Sequence, residues 1–238
     1  MKTLGIVGGL GPESTIDYYR SIISVYRQRV PDGSYPSIVI VSLDVDKALR
    51  LVSSDELQQL TEYFAASIRK LSAAGADFVL LSANTPHIVF NELRRLSPLP
   101  LISIVETTCE EVKRLGLKTV TLLGTRFTMS GRFYPEVFEK QAIALVPPSP
   151  EEQADIHDKY VNELIRGIFL PETRNRLQQI ITVQKQRDGI QGVILAGTEL
   201  PLILRADSLD GLPLLDTTRI HVNAAVAEML SNQGDCTA

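Results

Sequence analysis

Cysteine is scarce: the 238 residues hold two, Cys109 and Cys236. Two thiols are too few for a disulfide framework or a four-thiolate metal centre. Long apolar runs are missing as well. The apolar stretches at residues 78–81, 193–196 and 200–204 fall far short of the roughly 18–20 residues that span a bilayer. Basic blocks are absent too: 24 Lys and Arg stand against 28 Asp and Glu, a formal net charge of −4, which argues against a nucleic-acid partner. Before Gly8-Gly9 the N-terminal stretch carries only Lys2, so it reads as a strand and a turn rather than a secretory signal. Together these absences point to a soluble chain in the reducing cytoplasm, with no membrane partner.

What is present is globular. Hydrophobic residues make up 44% and charged residues 22%, enough for one large domain or two of about 120 residues. Short apolar runs alternate with helix-length amphipathic stretches, the pattern of an α/β fold with parallel sheets flanked by helices. Strands are predicted at residues 3–8, 37–42, 76–82 and 99–104, and helices at 55–73, 88–96 and 107–115. After the glycine-rich turn at 8–12, Ser14 or Thr15 is expected to cap a helix whose stripe is Ile16, Tyr19, Ile22, Ile23 and Tyr26.

The pattern then restarts. Residues 118–125 (KTVTLLGT) echo residues 2–9 (KTLGIVGG) at an offset of 116 positions. Residues 190–198 (IQGVILAGT) echo 76–84 (ADFVLLSAN) at 114, and 212–215 (LPLL) echo 99–102 (LPLI) at 113. Three blocks in one order at nearly constant offset indicate an internal duplication. The expected organisation is two pseudo-symmetric lobes. The first is 1–104 plus about 209–238, the C-terminal helix returning to it, and the second is 105–208. Strand ends facing each other across a cleft would take a small ligand.

Four loops are candidates for chemistry. The turn Gly8-Gly9-Leu10-Gly11-Pro12-Glu13-Ser14-Thr15 would expose backbone N–H groups at a helix start, suited to a carboxylate or phosphate. It fits neither the dinucleotide fingerprint nor the P-loop, and a tight turn without a ligand is the alternative. Its counterpart is the turn Gly124-Thr125-Arg126-Phe127-Thr128. Ser82-Ala83-Asn84-Thr85-Pro86-His87 follows one strand, and Ala196-Gly197-Thr198-Glu199-Leu200 follows the equivalent one. Their polar residues suit a site, though turn and cap chemistry alone would also select them. His87, His157 and His221 are too scattered for a zinc site. No nucleophile elbow is present, and Asp158, Lys159, Glu163 and Arg166 read as a solvated face.

On these blocks, together with Met129, Gly192-Val193-Ile194-Leu195 and Pro201-Leu202, the chain resembles the aspartate/glutamate racemase family of cofactor-independent amino-acid racemases. The resemblance runs through nearly the whole length. It implies two α/β lobes with the site between them, a homodimer, and neither cofactor nor metal. It also implies a cysteine from each lobe, one thiolate taking the α-proton and the opposite thiol returning one. The resemblance puts those cysteines at Ala83 and Gly197, and neither side chain can carry a proton. Nearby substitutes are Ser82, Thr85 and Thr198, with poorly acidic hydroxyls, His87, which titrates in the right range, and Glu199, a carboxylate whose counterpart in the family accompanies the cysteine, supporting the loop being the alternative role. For binding, the resemblance implies Gly9, Gly11, Asn84, Thr85, Thr125 and Thr198 around the α-carboxylate and amino group. Arg50 and Arg166 are candidates for a side-chain carboxylate, surface arginines being the alternative. Three readings follow: an isomerase acting on a small acidic amino acid such as aspartate or glutamate, a non-catalytic homologue binding a small carboxylate, or a diverged lyase or decarboxylase.

Overall fold

The computed structural model describes residues 1–231; Cys236 lies outside the described residues. The chain forms two units, residues 1–104 with 221 onward and residues 105–220. In the first unit, β1 (Leu4–Gly8), β2 (Ile38–Ser42), β3 (Phe78–Leu81) and β4 (Leu101–Ile102) form a parallel sheet in the order β2-β1-β3-β4. In the second, β5 (Thr119–Gly124), β6 (Ala144–Leu145), β7 (Gly192–Ala196), β8 (Ser208–Leu209) and β9 (Leu212–Asp216) are ordered β6-β5-β7-β9-β8. Only β8 runs antiparallel to its neighbour. Every residue of β1, β3 and β7 is buried. Parallel strands covered on both faces are uninterrupted apolar runs for this reason.

The two sheets repeat one topology down to the register. Val79 pairs with Leu101 in the first sheet as Val193 pairs with Leu214 in the second. Leu4 pairs with Phe78 as Val120 pairs with Gly192. The sequence echoes thus fall on equivalent strands. The boundary between the units differs from the expected one: β8 and β9 complete the second sheet, so that unit continues to Ile220 instead of ending at 208.

Helix Pro12–Arg29 buries Ser14, Tyr18, Ile22 and Tyr26, every fourth residue, so they share one face. Ile16 and Tyr19, expected on that face, are 42% and 45% exposed. Their place is taken by Tyr18, which packs into the core with its buried hydroxyl satisfied by donating to His221 Nδ1 at 3.0 Å. Gly11 is the cap residue, and Ser14 and Thr15 lie inside the first turn. Tyr18, Ile22 and Tyr26 pack with Leu4, Ile6, Phe78 and Leu80 and with Val222, Ala225, Val226 and Met229 of helix Thr217–Leu230. Each large side chain fully buried in this way contributes about 1.5–3 kcal/mol. The second unit has its own core, built on Leu123, Leu177, Ile180, Ile181, Val193 and Leu195. Among the described residues, no helix is long and apolar enough to cross a membrane.

Leu80 and Ile194 hold equivalent places in the two central strands, and both are wholly buried. Truncating either to Ala is expected to cost about 2–5 kcal/mol, measured by urea unfolding. A loss below about 1 kcal/mol at either position would contradict its burial.

Candidate functional site

From β1 the chain crosses to β2 on one side and then to β3 on the other, and from β5 to β6 and β7 in the same way. Such reversals are where open α/β sheets take ligands, outside the carboxyl ends of the strands. The loops that leave β1, β3, β5 and β7 at these points are the four glycine-rich or polar segments of the repeat.

In the first unit the loops are tied to each other. Gly9 has φ +74, and a Cβ there would run into the Leu43 backbone, so only glycine fits. Its N–H donates to Thr15 Oγ1 at 2.8 Å, which also lies 3.3 Å from Ser82 Oγ. Ser14 donates to the Ser82 carbonyl at 2.7 Å. The Gly9 donor, expected to face an anion, therefore serves the turn itself. Gly11 caps the helix, its carbonyl accepting from Thr15 N at 3.2 Å. Ala83 is half-buried, Asn84 is buried, and Thr85 opens a short 3-10 turn, Thr85–Val89.

His87 lies inside that turn, fully enclosed. Its Nδ1 is 3.1 Å from the Ala83 carbonyl, and its Nε2 accepts from Ile104 N–H at 3.2 Å. These partners fix the neutral Nδ1–H tautomer, since a backbone N–H can only donate. The ring stacks on Phe90 at 4.7 Å. Burial, and then the neighbouring His221, push its pKa down to about 3. His221 is held alike, Nδ1 accepting from Tyr18 and Nε2–H donating to the Ile102 carbonyl at 3.1 Å, with burial lowering its pKa to about 4. Both nitrogens of His87 are engaged within the fold, so the ring braces residues 83–87 from behind.

In the second unit Thr125 caps helix Arg126–Ser130, accepting from Thr128 N at 3.4 Å. Arg126 N donates to His157 Nδ1 at 3.2 Å. Gly197 is buried, with Thr198 and Glu199 half-buried beside it. Where a side chain at 197 would begin stands Tyr160, from helix Pro150–Asn162. A Cβ on Gly197 would meet Cε2 at 2.6 Å and Cζ at 2.7 Å and would overlap the hydroxyl. That hydroxyl donates to the Glu199 carboxylate. Burial, and then the Glu199 charge, push the Tyr160 pKa well above the phenol range. Sequence reasoning missed Tyr160. The available signal was a strand-end glycine whose own φ is not left-handed, and so makes room for something else.

The remaining candidates lie on other elements. Arg50 is exposed on helix Val45–Ser53, and Arg166 is exposed on the short turn Leu164–Arg166. Cys109 is buried on helix Ile104–Arg114, its pKa raised to about 11 by burial and then by Glu110. It remains a thiol at neutral pH. Among the described residues, no three His, Cys, Asp or Glu side chains are grouped to hold a metal.

A family model described as Asp/Glu/hydantoin racemase matches residues 7–225. The broad-specificity amino-acid racemase RacX of Bacillus subtilis is 27% identical over 97% of this chain and 99% of its own length. Two solved structures each align over 97% of this chain and 100% of theirs. One, a Yersinia pestis protein described as a candidate Asp/Glu racemase, is 30% identical with a TM-score of 0.90. The other, an aspartate racemase homologue of Pyrococcus horikoshii, is 29% identical with a TM-score of 0.86.

The two buried imidazoles make stability depend on pH. Both stay neutral in the folded chain down to about 4 for His221 and about 3 for His87, whereas an unfolded histidine takes its proton near 6.5. The unfolded state therefore binds more protons between those limits. Stability that is complete above about 6.5 falls with pH, by about 1.4 kcal/mol per unit for each ring. Urea midpoints between pH 7 and 5 are expected to drop accordingly, and His221→Gln to flatten the slope by about half. A midpoint independent of pH in that interval would contradict the buried neutral pair.

Proposed function

The chain belongs to the Asp/Glu/hydantoin racemase family, and from that premise we propose that it labilises the α-proton of a small acidic amino acid, aspartate or glutamate, without a thiol pair. The observation that carries this reading is the placement of the family-like loops. Residues 82–87 and 197–200 follow the third strand of each repeat, β3 and β7, beside the crossover point of each sheet. Asn84, Thr85, Thr125 and Thr198 supply hydroxyls and an amide for a carboxylate and an ammonium group. Arg50 or Arg166 supplies the cation for the second carboxylate. The same reading takes the chain as a cytoplasmic homodimer that needs no cofactor and no metal.

Proton transfer falls unequally on the two units. We assign the positions of the family's thiols to Ala83 and Gly197, which end in a methyl group and a hydrogen. In the first unit His87 has both nitrogens engaged, so it positions the loop and transfers no proton. In the second unit Glu199 stands at the loop with a carboxylate, and we assign it the transfer. A positioned acid or base contributes about 10²–10⁴-fold, so a chain with one carrier is slower than one with two. A single carrier returns the proton to the face it came from. Exchange with retention therefore outpaces inversion. The engagement of His87 at both nitrogens also favours a second reading, a carboxylate-binding homologue without turnover.

The deciding measurement is α-proton exchange in D₂O, followed by proton NMR on both enantiomers of each amino acid. The expected result is loss of the α-proton signal of a dicarboxylic amino acid, well above a heat-killed control and faster than chiral inversion. Glu199→Gln is expected to slow it by about 10²–10⁴-fold. Silence across the whole set would sink the exchange reading. A rise in melting temperature with the same acids would then identify the carboxylate-binding homologue.

A further inference from the structure

We infer that the Tyr160 phenol takes the place of a side chain at position 197 and positions the Glu199 carboxylate for proton transfer. The catalytic half of this inference rests on the reading of the chain as an α-proton exchanger; the spatial half does not. The φ of Gly197 lies outside the left-handed region, so its backbone would accept any residue. What excludes a side chain is the phenol, with Cε2 and Cζ at 2.6 and 2.7 Å from the Cβ position and the hydroxyl overlapping it. The ring arrives from helix Pro150–Asn162, packed among Leu123, Leu195 and Leu200, and is 5% exposed. A phenol buried so deeply needs a partner for its hydroxyl, and that partner is Glu199. A hydrogen bond to a carboxylate is charge-assisted and directional. It holds one carboxylate oxygen of Glu199 against Tyr160 and fixes where the group can point.

Burial and the Glu199 charge keep the phenol protonated, so Tyr160 is a donor to Glu199 and a positioning residue. In the step itself the substrate Cα–H bond breaks and an O–H bond forms on the Glu199 carboxylate. The electron pair stays on Cα and spreads into the substrate carboxylate as an enediolate. Return of a proton, or of a deuteron after exchange with solvent, reverses the step.

Two sets of variants test the inference. For the space, Gly197→Ala is expected to lower the melting temperature by about 5 °C in the native background and to have little effect in Tyr160→Ala. Equal losses in both backgrounds would overturn it. Should Tyr160→Ala not fold, ¹³C-tyrosine NMR replaces the cycle: in Glu199→Gln one tyrosine is expected to ionise at lower pH than in the native chain. An unchanged tyrosine titration would overturn the pairing. For positioning, Tyr160→Phe is expected to lower the kcat of exchange about tenfold at constant KM. Adding it to Glu199→Gln is expected to change nothing further, since it acts through that carboxylate. Additive losses would overturn the positioning role. A native chain that exchanges no α-proton refutes the catalytic half together with the proposed activity, while the stability cycle and the tyrosine titration still decide the spatial half.

Discussion

Two parallel strands cannot be joined by a tight turn, so the pairing of β1 with β3 and of β5 with β7 obliges the chain to cross over the sheet between them. The first crossover carries β2 to one side before β3 arrives on the other, and the second does the same with β6 and β7. Each sheet thereby acquires one point at which successive loops part. The residues at those points are small or polar because helices must start there at once: Gly11 caps one helix and Thr125 another. Topology thus accounts for where the loops stand, and the chemistry of helix starts accounts for much of what they contain.

That second fact limits what the polar residues can do for a ligand. Thr15 receives the Gly9 N–H, Ser14 holds the Ser82 carbonyl, and His87 is bonded at both nitrogens. In each case a group that could face a substrate instead satisfies a backbone partner. Leaving a buried donor or acceptor unmet costs about 1–3 kcal/mol, comparable to what one such group could contribute to binding. The fold's demand therefore takes precedence at these positions. Glu199, half-buried in the loop after β7, has a side-chain obligation instead, to the Tyr160 hydroxyl, and one hydrogen bond leaves a carboxylate with further acceptor positions.

The sequence was legible wherever physics is local or repeated. Offsets of 116, 114 and 113 between the echoes fell on strands whose registers match, Val79 with Leu101 and Val193 with Leu214. Periodicity located helix Pro12–Arg29, but chose the wrong neighbour on its face. Tyr18 and Tyr19 differ by one position in a tyrosine pair, and the first packs into the core and bonds His221, 203 residues away. The boundary at 208 failed for a related reason: the echo of 99–102 in 212–215 already assigned β9 to the second sheet, and strand pairing outweighs the return of the terminal helix. Tyr160 was illegible because nothing within a loop of Gly197 signals a ring arriving from a helix 37 residues earlier.

The ring at that position also governs which residues position 197 can hold. A buried glycine without such a neighbour would border a cavity, and cavities in packed interiors destabilise in proportion to their volume. Here the space is filled, and the filling group has bonded to the carboxylate next in line. Any side chain introduced at 197 without changing Tyr160 would collide with the phenol, so the two positions are coupled. In the first unit Ala83 is half-buried on its loop, its carbonyl held by His87. At the loop after β7, then, the space next to a buried glycine is filled by a ring from a helix distant in sequence.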